Sequence, residues 1–309
     1  MGRLRRLGSI AIVALAALGS TGCIKKILLE GQIASTRMAS VAVNTVSDWE
    51  VAKRASSAGM AQFEGMHYLA PDNADALFLL TKGWAGLGYG FIEDEMEQAQ
   101  DQHGFDSALA EYHKQRAGAA YSRAIFYGIK LLELDHPGFA EAKKNADSMK
   151  AWLAEFDDPE VDAENLFWVG QAWMSRVNVL KDQGEYVSEL FVGVELVRRS
   201  VELDETYSYA SGHAILGAYH ARTAMAELDD SKAHFEKALA LTEGKSLLVK
   251  LNYAARYYCT KVDKENYVKL LEEVVAAGDV LPEQRLQNTI AKRRARRYLQ
   301  PARMELCGF

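Results

Sequence analysis

Ser200-Val-Glu-Leu-Asp-Glu-Thr-Tyr-Ser-Tyr-Ala210, Ala214-Ile-Leu-Gly-Ala-Tyr219 and Ala233-His-Phe-Glu-Lys-Ala-Leu-Ala-Leu241 decide the fold. In these three stretches small residues recur at helical spacing, and a large residue follows each small group. Small side chains let two helices cross closely, and the large one fills the space beside the crossing. The stretches therefore predict a hairpin of two packed helices, broken near Leu203-Asp204 and again near Glu227 to Asp230.

Weaker copies of this pattern lie on both sides. Gly83-Trp84, Leu87-Gly88 and Phe91 mark one first helix; Ala120-Tyr121 and Ala124, followed by Leu134-Asp135-His136-Pro137, mark its partner. Leu166 to Trp173 pairs with Leu190 to Leu203, and Leu247 to Tyr258 pairs with Tyr267 to Ala276. The earliest copy carries an insertion around residues 93–107. Repeats of this kind are tetratricopeptide-like, and four in succession carry more weight than any single one. The fold class expected is all-α: stacked antiparallel helical hairpins in a degenerate tetratricopeptide-like array. One hairpin cannot bury its apolar face alone, so neighbours must stack on it, and such arrays present binding surfaces.

Composition agrees. Only 5 prolines interrupt 309 residues, and strand-like alternation is scarce. Turns are expected near Pro71-Asp72-Asn73, Asp135 to Gly138, Asp157-Asp158-Pro159, Thr242 to Gly244 and Ala277 to Asp279, with an Asp or Asn cap ahead of Ala76-Leu77.

The first residues read as a lipoprotein leader. Arg3, Arg5 and Arg6 precede an apolar stretch from about Ile10 to Leu18, and Ser20-Thr21-Gly22 lead into Cys23. The apolar stretch is too short for a permanent span. Cleavage before Cys23 and acylation of that cysteine are expected, although Ser20 stands where such leaders usually carry Leu. An ordinary secretory signal is the alternative. The domain plan is a signal peptide over 1–22, a lipidated tether over 23–35 and one helical domain over 36–309. The chain holds 36 basic and 42 acidic residues. Without residues 1–22, and so without three arginines, the net charge is 33 − 42 = −9. That balance argues against nucleic acid. The basic run Lys292 to Arg297 reads as solvated or salt-bridged helix surface. Cys259 and Cys307 are either a disulfide or two lone buried thiols.

No GxSxG, P-loop, GxGxxG or HExxH pattern occurs, so neither an enzyme nor a cofactor or metal is expected. Glu93, Glu97 and Asp101, near His103, share one helix face; a solvated acidic stripe is the expected reading and a catalytic cation site the alternative. His213 and His220, seven apart, read as core-edge or surface histidines. The residues left to line a ligand or partner groove are Trp84, Tyr89, Phe91, Trp168, Trp173 and Tyr219, within a wider set including Phe126 and Phe167 that helical spacing assigns mostly to the core.

Several segments in order carry a resemblance. They include Gly88-Tyr-Gly-Phe-Ile-Glu93, Ala124 to Phe139 ending in His-Pro-Gly-Phe, Asn165-Leu-Phe-Trp-Val-Gly170 with Ala172-Trp173, and Leu216-Gly-Ala-Tyr219. His234-Phe-Glu-Lys-Ala238, Leu270-Leu-Glu-Glu-Val274 and Leu286-Gln-Asn288 with Ala291-Lys-Arg-Arg-Ala295 follow. From Ala76 to Leu299 the chain resembles the T component of tetratricopeptide-associated TRAP transporters, periplasmic lipoproteins of the TatT type. Ala226-Glu-Leu-Asp-Asp230 departs from the Gly-rich turn often found there. The resemblance implies a non-enzymatic, lipid-anchored accessory on the periplasmic face of a bacterial membrane, and possession of a homotrimeric pore. It implies docking of the extracytoplasmic TRAP solute-binding protein and passage of an apolar or organic-acid ligand. An envelope-assembly scaffold of the same repeat type is the alternative.

Overall fold

The computed structural model describes residues 24–222 and 226–309, and among them there is no β-strand. Helix α1 covers residues 24–40, so the segment expected to be a tether is helical, and Ile33 on it is fully buried. Then follow α2 (Trp49–Leu69), α3 (Ala74–Leu87), α4 (Glu93–His103), α5 (Ala108–Leu132), α6 (Phe139–Ala142) and α7 (Ala146–Leu153). Next come α8 (Asp162–Val179), α9 (Gly184–Ser188), α10 (Leu190–Leu203), α11 (Tyr207–His220) and α12 (Leu228–Leu241). The chain continues through α13 (Leu247–Asn252), α14 (Lys264–Ala276), α15 (Arg285–Tyr298) and α16 (Pro301–Glu305).

Local chemistry explains many of the boundaries. Asp48, Asn73, Ser107, Asn145, Ser246 and Asp263 each accept a backbone N–H of the first turn, satisfying one donor that the helix leaves unpaired. Asn73 is thus the cap ahead of Ala76. Between α3 and α4 the chain does not break; a π-helical stretch, Gly88–Ile92, carries one into the other. A second, Tyr253–Tyr258, extends α13. The insertion is therefore an extra helix, α4, and α3 takes α5 as its packing partner.

The pairs α3 with α5, α8 with α10, α11 with α12, and α13 with α14 pack in order along the chain. Glycines set how close two of them come. A Cβ on Gly170 would lie 2.7 Å from Val197 Cγ2 and 3.0 Å from the Gly193 carbonyl oxygen, and one on Gly193 would lie 2.7 Å from Met174 Cγ. Helices α8 and α10 thus touch through facing glycines. The main core runs from Trp49 through Tyr121, Phe156, Leu166 and Trp173 to Leu286 and Ile290.

Helix α15 gives the array its closure. It packs on α13 and α14 from the last hairpin and also on α2. Gln287 donates to Asn44 Oδ1 at 3.0 Å, and Thr289 Oγ1 donates to the Ser47 carbonyl at 3.0 Å. The basic run on this helix is salt-bridged through Arg293 and Arg297, and Arg296 is exposed, but Arg294 is buried at 3% exposure. The acidic stripe of α4, by contrast, is not solvated over Glu93 to Glu97. Glu93, Asp94 and Glu97 are buried and receive those arginines. Arg293 reaches Asp94 Oδ2 at 2.8 Å, and Arg297 spans Asp94 Oδ1 at 2.9 Å and Glu97 Oε2 at 2.6 Å. Arg303 holds Asp101 at 2.5 Å, and Tyr298 OH donates to Glu97 Oε1 at 2.8 Å. Tyr121 OH donates to Glu93. The buried acids and the buried Arg294 share a cause. The two charge runs lie about 200 positions apart, and each looks solvated until the other is placed against it.

Cys259 and Cys307 form a disulfide, joining the end of the α13 extension to the turn after α16.

Candidate functional site

Helix α3 carries the surface most suited to binding. Its sequence, Ala74-Asp-Ala-Leu-Phe-Leu-Leu-Thr-Lys-Gly-Trp-Ala-Gly-Leu87, is apolar except for Asp75 near the start and Lys82. Leu77, Phe78 and Leu80 are buried, while Lys82 and Trp84 are half-buried. Trp84 and Trp168 pack against one shared cluster of Leu77, Phe78, Leu80, Tyr127 and Leu131.

Two polar networks flank that cluster. Around Trp84, the indole N–H donates to Glu64 Oε1 at 3.0 Å, Arg123 Nε donates to the same oxygen at 2.6 Å, and Tyr127 OH donates to Glu64 Oε2 at 2.5 Å. Burial would raise the Glu64 pKa, but these donors outweigh it and hold the carboxyl below its usual range. Arg123 also lies over the rings of Trp84 and Tyr127. Around Trp168, the indole N–H donates to Tyr207 OH at 2.9 Å. Arg37 pairs with Asp75 at 2.7 Å, also pairs with Glu164, and covers the Phe78 ring at 4.0 Å.

Lys82 stands between these networks. Its ammonium is 5.4 Å from the Trp168 ring centroid and 5.7 Å from that of Phe78. Glu164 is taken by Arg37, and among the described residues Lys82 has no ion pair of its own. Burial pushes the Lys82 pKa down, with Glu164 acting against it. Glu164 is pushed up by burial, against the pull of Arg37 and Lys82. The strip thus offers two half-buried indoles beside the buried Phe78 ring, and a half-buried cation whose neighbouring carboxylate, Glu164, is paired with Arg37.

The other aromatic candidates are elsewhere. Phe91 and Trp173 are core residues, packed against Trp49 and Phe139. Tyr89 lies under Arg294 in the closure, and Tyr219 lies under Arg222 at the end of α11. Of the wider set, Phe167 is buried and Phe126 is exposed. Trp84 and Trp168 alone among the six are brought together with an exposed polar rim. Lys82, Arg37, Glu64, Arg123 and Tyr207 were not anticipated. Lys82 had a signal, a lone cation in an otherwise apolar helix; the others come from four different helices and have none. Cys23 lies outside the described residues. His103 is exposed, and the acids near it are occupied by arginines, so nothing there is free to hold a cation.

Two open recesses are lined by other residues. One of about 310 Å³ lies among Thr206, Tyr209, Leu241, Lys245 and Leu281, and one of about 520 Å³ lies among Pro137, Asn145 and Trp152. We assign the site to the α3 strip because, among the described residues, it combines two indoles with a cation that has no ion pair of its own.

The sequence model of the TRAP transporter T-component family, TAtT, matches residues 45–304. The chain belongs to the T-component family. The match covers α2 through α15 and so includes the strip and the closure. Curated proteins yield no match. As a T component, the protein has an accessory role in a TRAP transporter system, and its family is one of transporter accessories, not of enzymes.

Proposed function

We propose that this T component is a lipid-anchored accessory on the periplasmic face of a bacterial membrane. It is held through Cys23 and docks the extracytoplasmic solute-binding protein on the strip around Trp84, Lys82 and Trp168. Tethering both partners at the membrane raises their effective concentration and shortens the route to the permease. The observation that carries this reading is the Lys82 ammonium, flanked by the Phe78 and Trp168 rings and without a carboxylate of its own. A cation beside aromatic faces suits a carboxylate on an apolar frame, supplied by an organic-acid ligand or by an acidic side chain of the partner. Passage of such a ligand along the strip, through a homotrimeric assembly, belongs to the same reading.

A photo-cross-linking amino acid in place of Trp84 or Trp168, activated in intact cells, tests the docking. Recovery of a TRAP solute-binding protein is expected. Recovery of envelope-assembly proteins alone would replace this reading with the scaffold one. Cys23→Ser should move the protein to the soluble fraction; retention in membranes would end the anchoring claim. Sedimentation at the mass of a single chain would remove the trimer.

A further inference from the structure

Three of the seven histidines gather where α11 meets α12. His213 and His220, two turns apart on α11, face His234 on α12. The His220 and His234 rings stack at 5.5 Å with 12° between their planes, and His213 Nδ1 lies 2.9 Å from His234 Nδ1. Glu227 caps the start of α12, and Asp230 and His234 follow on that helix. The Glu227 N–H donates to the His220 carbonyl at 2.8 Å, which closes the connection and sets the side chains of both residues together.

We propose that His220, Glu227 and Asp230 form a site for a divalent transition-metal ion of the zinc class. One donor atom from each lies within 4.8 Å of the other two. His220 Nδ1 and Glu227 Oε2 are 2.6 Å apart. Ligands on a tetrahedral zinc sit about 3.3 Å from one another, so small rotations of two exposed carboxylates bring the set to bonding geometry. The charge matches: two carboxylates and one neutral imidazole neutralise a divalent ion and leave a fourth position for water. One nitrogen donor favours zinc, nickel or cobalt over calcium and magnesium, which take oxygen donors.

The surroundings hold the nitrogen donor in place. His220 is nearly buried and held flat against His234, so the nitrogen ligand is oriented in advance. Deeper in the stack, His213 is 8% exposed, with its Nε2 3.6 Å from Glu205 Oε2 and its Nδ1 against His234.

The test uses the full chain, purified metal-free and without a histidine tag. Titration with Zn²⁺ by calorimetry should show one equivalent bound, and Co²⁺ should produce visible d–d absorption that Zn²⁺ then displaces. His220→Ala, Glu227→Gln and Asp230→Asn should each weaken Zn²⁺ at least about tenfold. The two carboxylate variants change exposed side chains, so they leave the fold in place and isolate the ligand effect. His103→Ala should bind as the parent does. No saturable Zn²⁺ binding, equal binding by Asp230→Asn and Glu227→Gln, or Mg²⁺ binding as tight as Zn²⁺ would each overturn the proposal.

Discussion

Arg294 lies flat over the ring of Tyr89, its guanidinium carbon 4.3 Å from the centroid, and donates to the Tyr89 carbonyl oxygen at 2.7 Å. The same guanidinium reaches Glu93 Oε2 at 3.4 Å. Tyr89 belongs to the π-helical stretch joining α3 to α4. A π turn leaves a carbonyl off the α-helical ladder, and Arg294 answers it.

Arg294→Met should therefore be strongly destabilising. Burial pushes Glu93 up, and Arg294 and the Tyr121 hydroxyl are what act against that push. Removing the arginine strands a buried carboxyl and should cost about 3–5 kcal/mol. Adding Glu93→Gln should recover part of the loss. Urea unfolding of both variants measures it; equal stability of the single variant and the parent would contradict the assignment.

Asp94 predicts a pH dependence. Burial would raise its pKa, but Arg297 and Arg293 outweigh burial and hold it below its ordinary value of 3.8. A depressed carboxyl contributes stability that is complete above that ordinary value and is lost as pH falls through the folded one. Asp94→Asn should thus cost a few kcal/mol near neutrality, and the gap between variant and parent should close as pH drops below about 3.8. Glu93 has the opposite sign, its pKa being raised, so Glu93→Gln should show no such closing gap. Chemical unfolding of the three proteins at pH 6 and at pH 2.5 separates the two residues.

Reduction of the Cys259–Cys307 bond should loosen the last hairpin. The bridge closes a span of 48 positions. By chain entropy a loop of that size contributes about 4 kcal/mol at most. Replacing both cysteines by Ser should lower the unfolding midpoint and make it insensitive to dithiothreitol, whereas the parent should lose stability on reduction.

Glycine substitutions should divide by contact. Gly170→Ala drives a methyl against Val197 and the Gly193 backbone and should cost about 1–3 kcal/mol despite the better helix propensity of alanine. Gly65 is exposed in the interior of α2, with nothing near its Cβ position. Gly65→Ala should stabilise by about 0.5–1 kcal/mol. Paired thermal melts decide both signs.

Lys82→Met removes the cation of the strip and keeps the length of its side chain. It should abolish cross-linking of the solute-binding protein through position 168 without lowering the melting temperature by more than a few degrees. Undiminished cross-linking would remove Lys82 from the docking surface.

The helices were legible because their signals are local. Gly170 and Gly217 sit in small-residue runs that mark close crossings, and Asn73 precedes an apolar run as a cap does. Tertiary pairing left no such trace. Glu93 and Glu97 on one face have the spacing of a solvated stripe, and nothing within a helical turn shows that Arg294 and Arg297 will neutralise them. The same holds at the functional strip: Trp84 and Trp168 were identifiable as aromatics, but Glu64, Arg123 and Tyr207 join them only through packing of separate helices. Glu227 and Asp230 became interesting only once the turn had carried them onto His220.

The closure by α15 also sets a schedule. During synthesis, the acidic helix α4 is made long before the arginines that receive it, and its three buried carboxylates have no cationic partners until residues 293–297 have followed. Until then, burying α4 exacts the full desolvation cost of those charges, so the first half of the protein stays open at that edge. A nascent chain halted before residue 285 should therefore leave this edge open to chaperones and proteases.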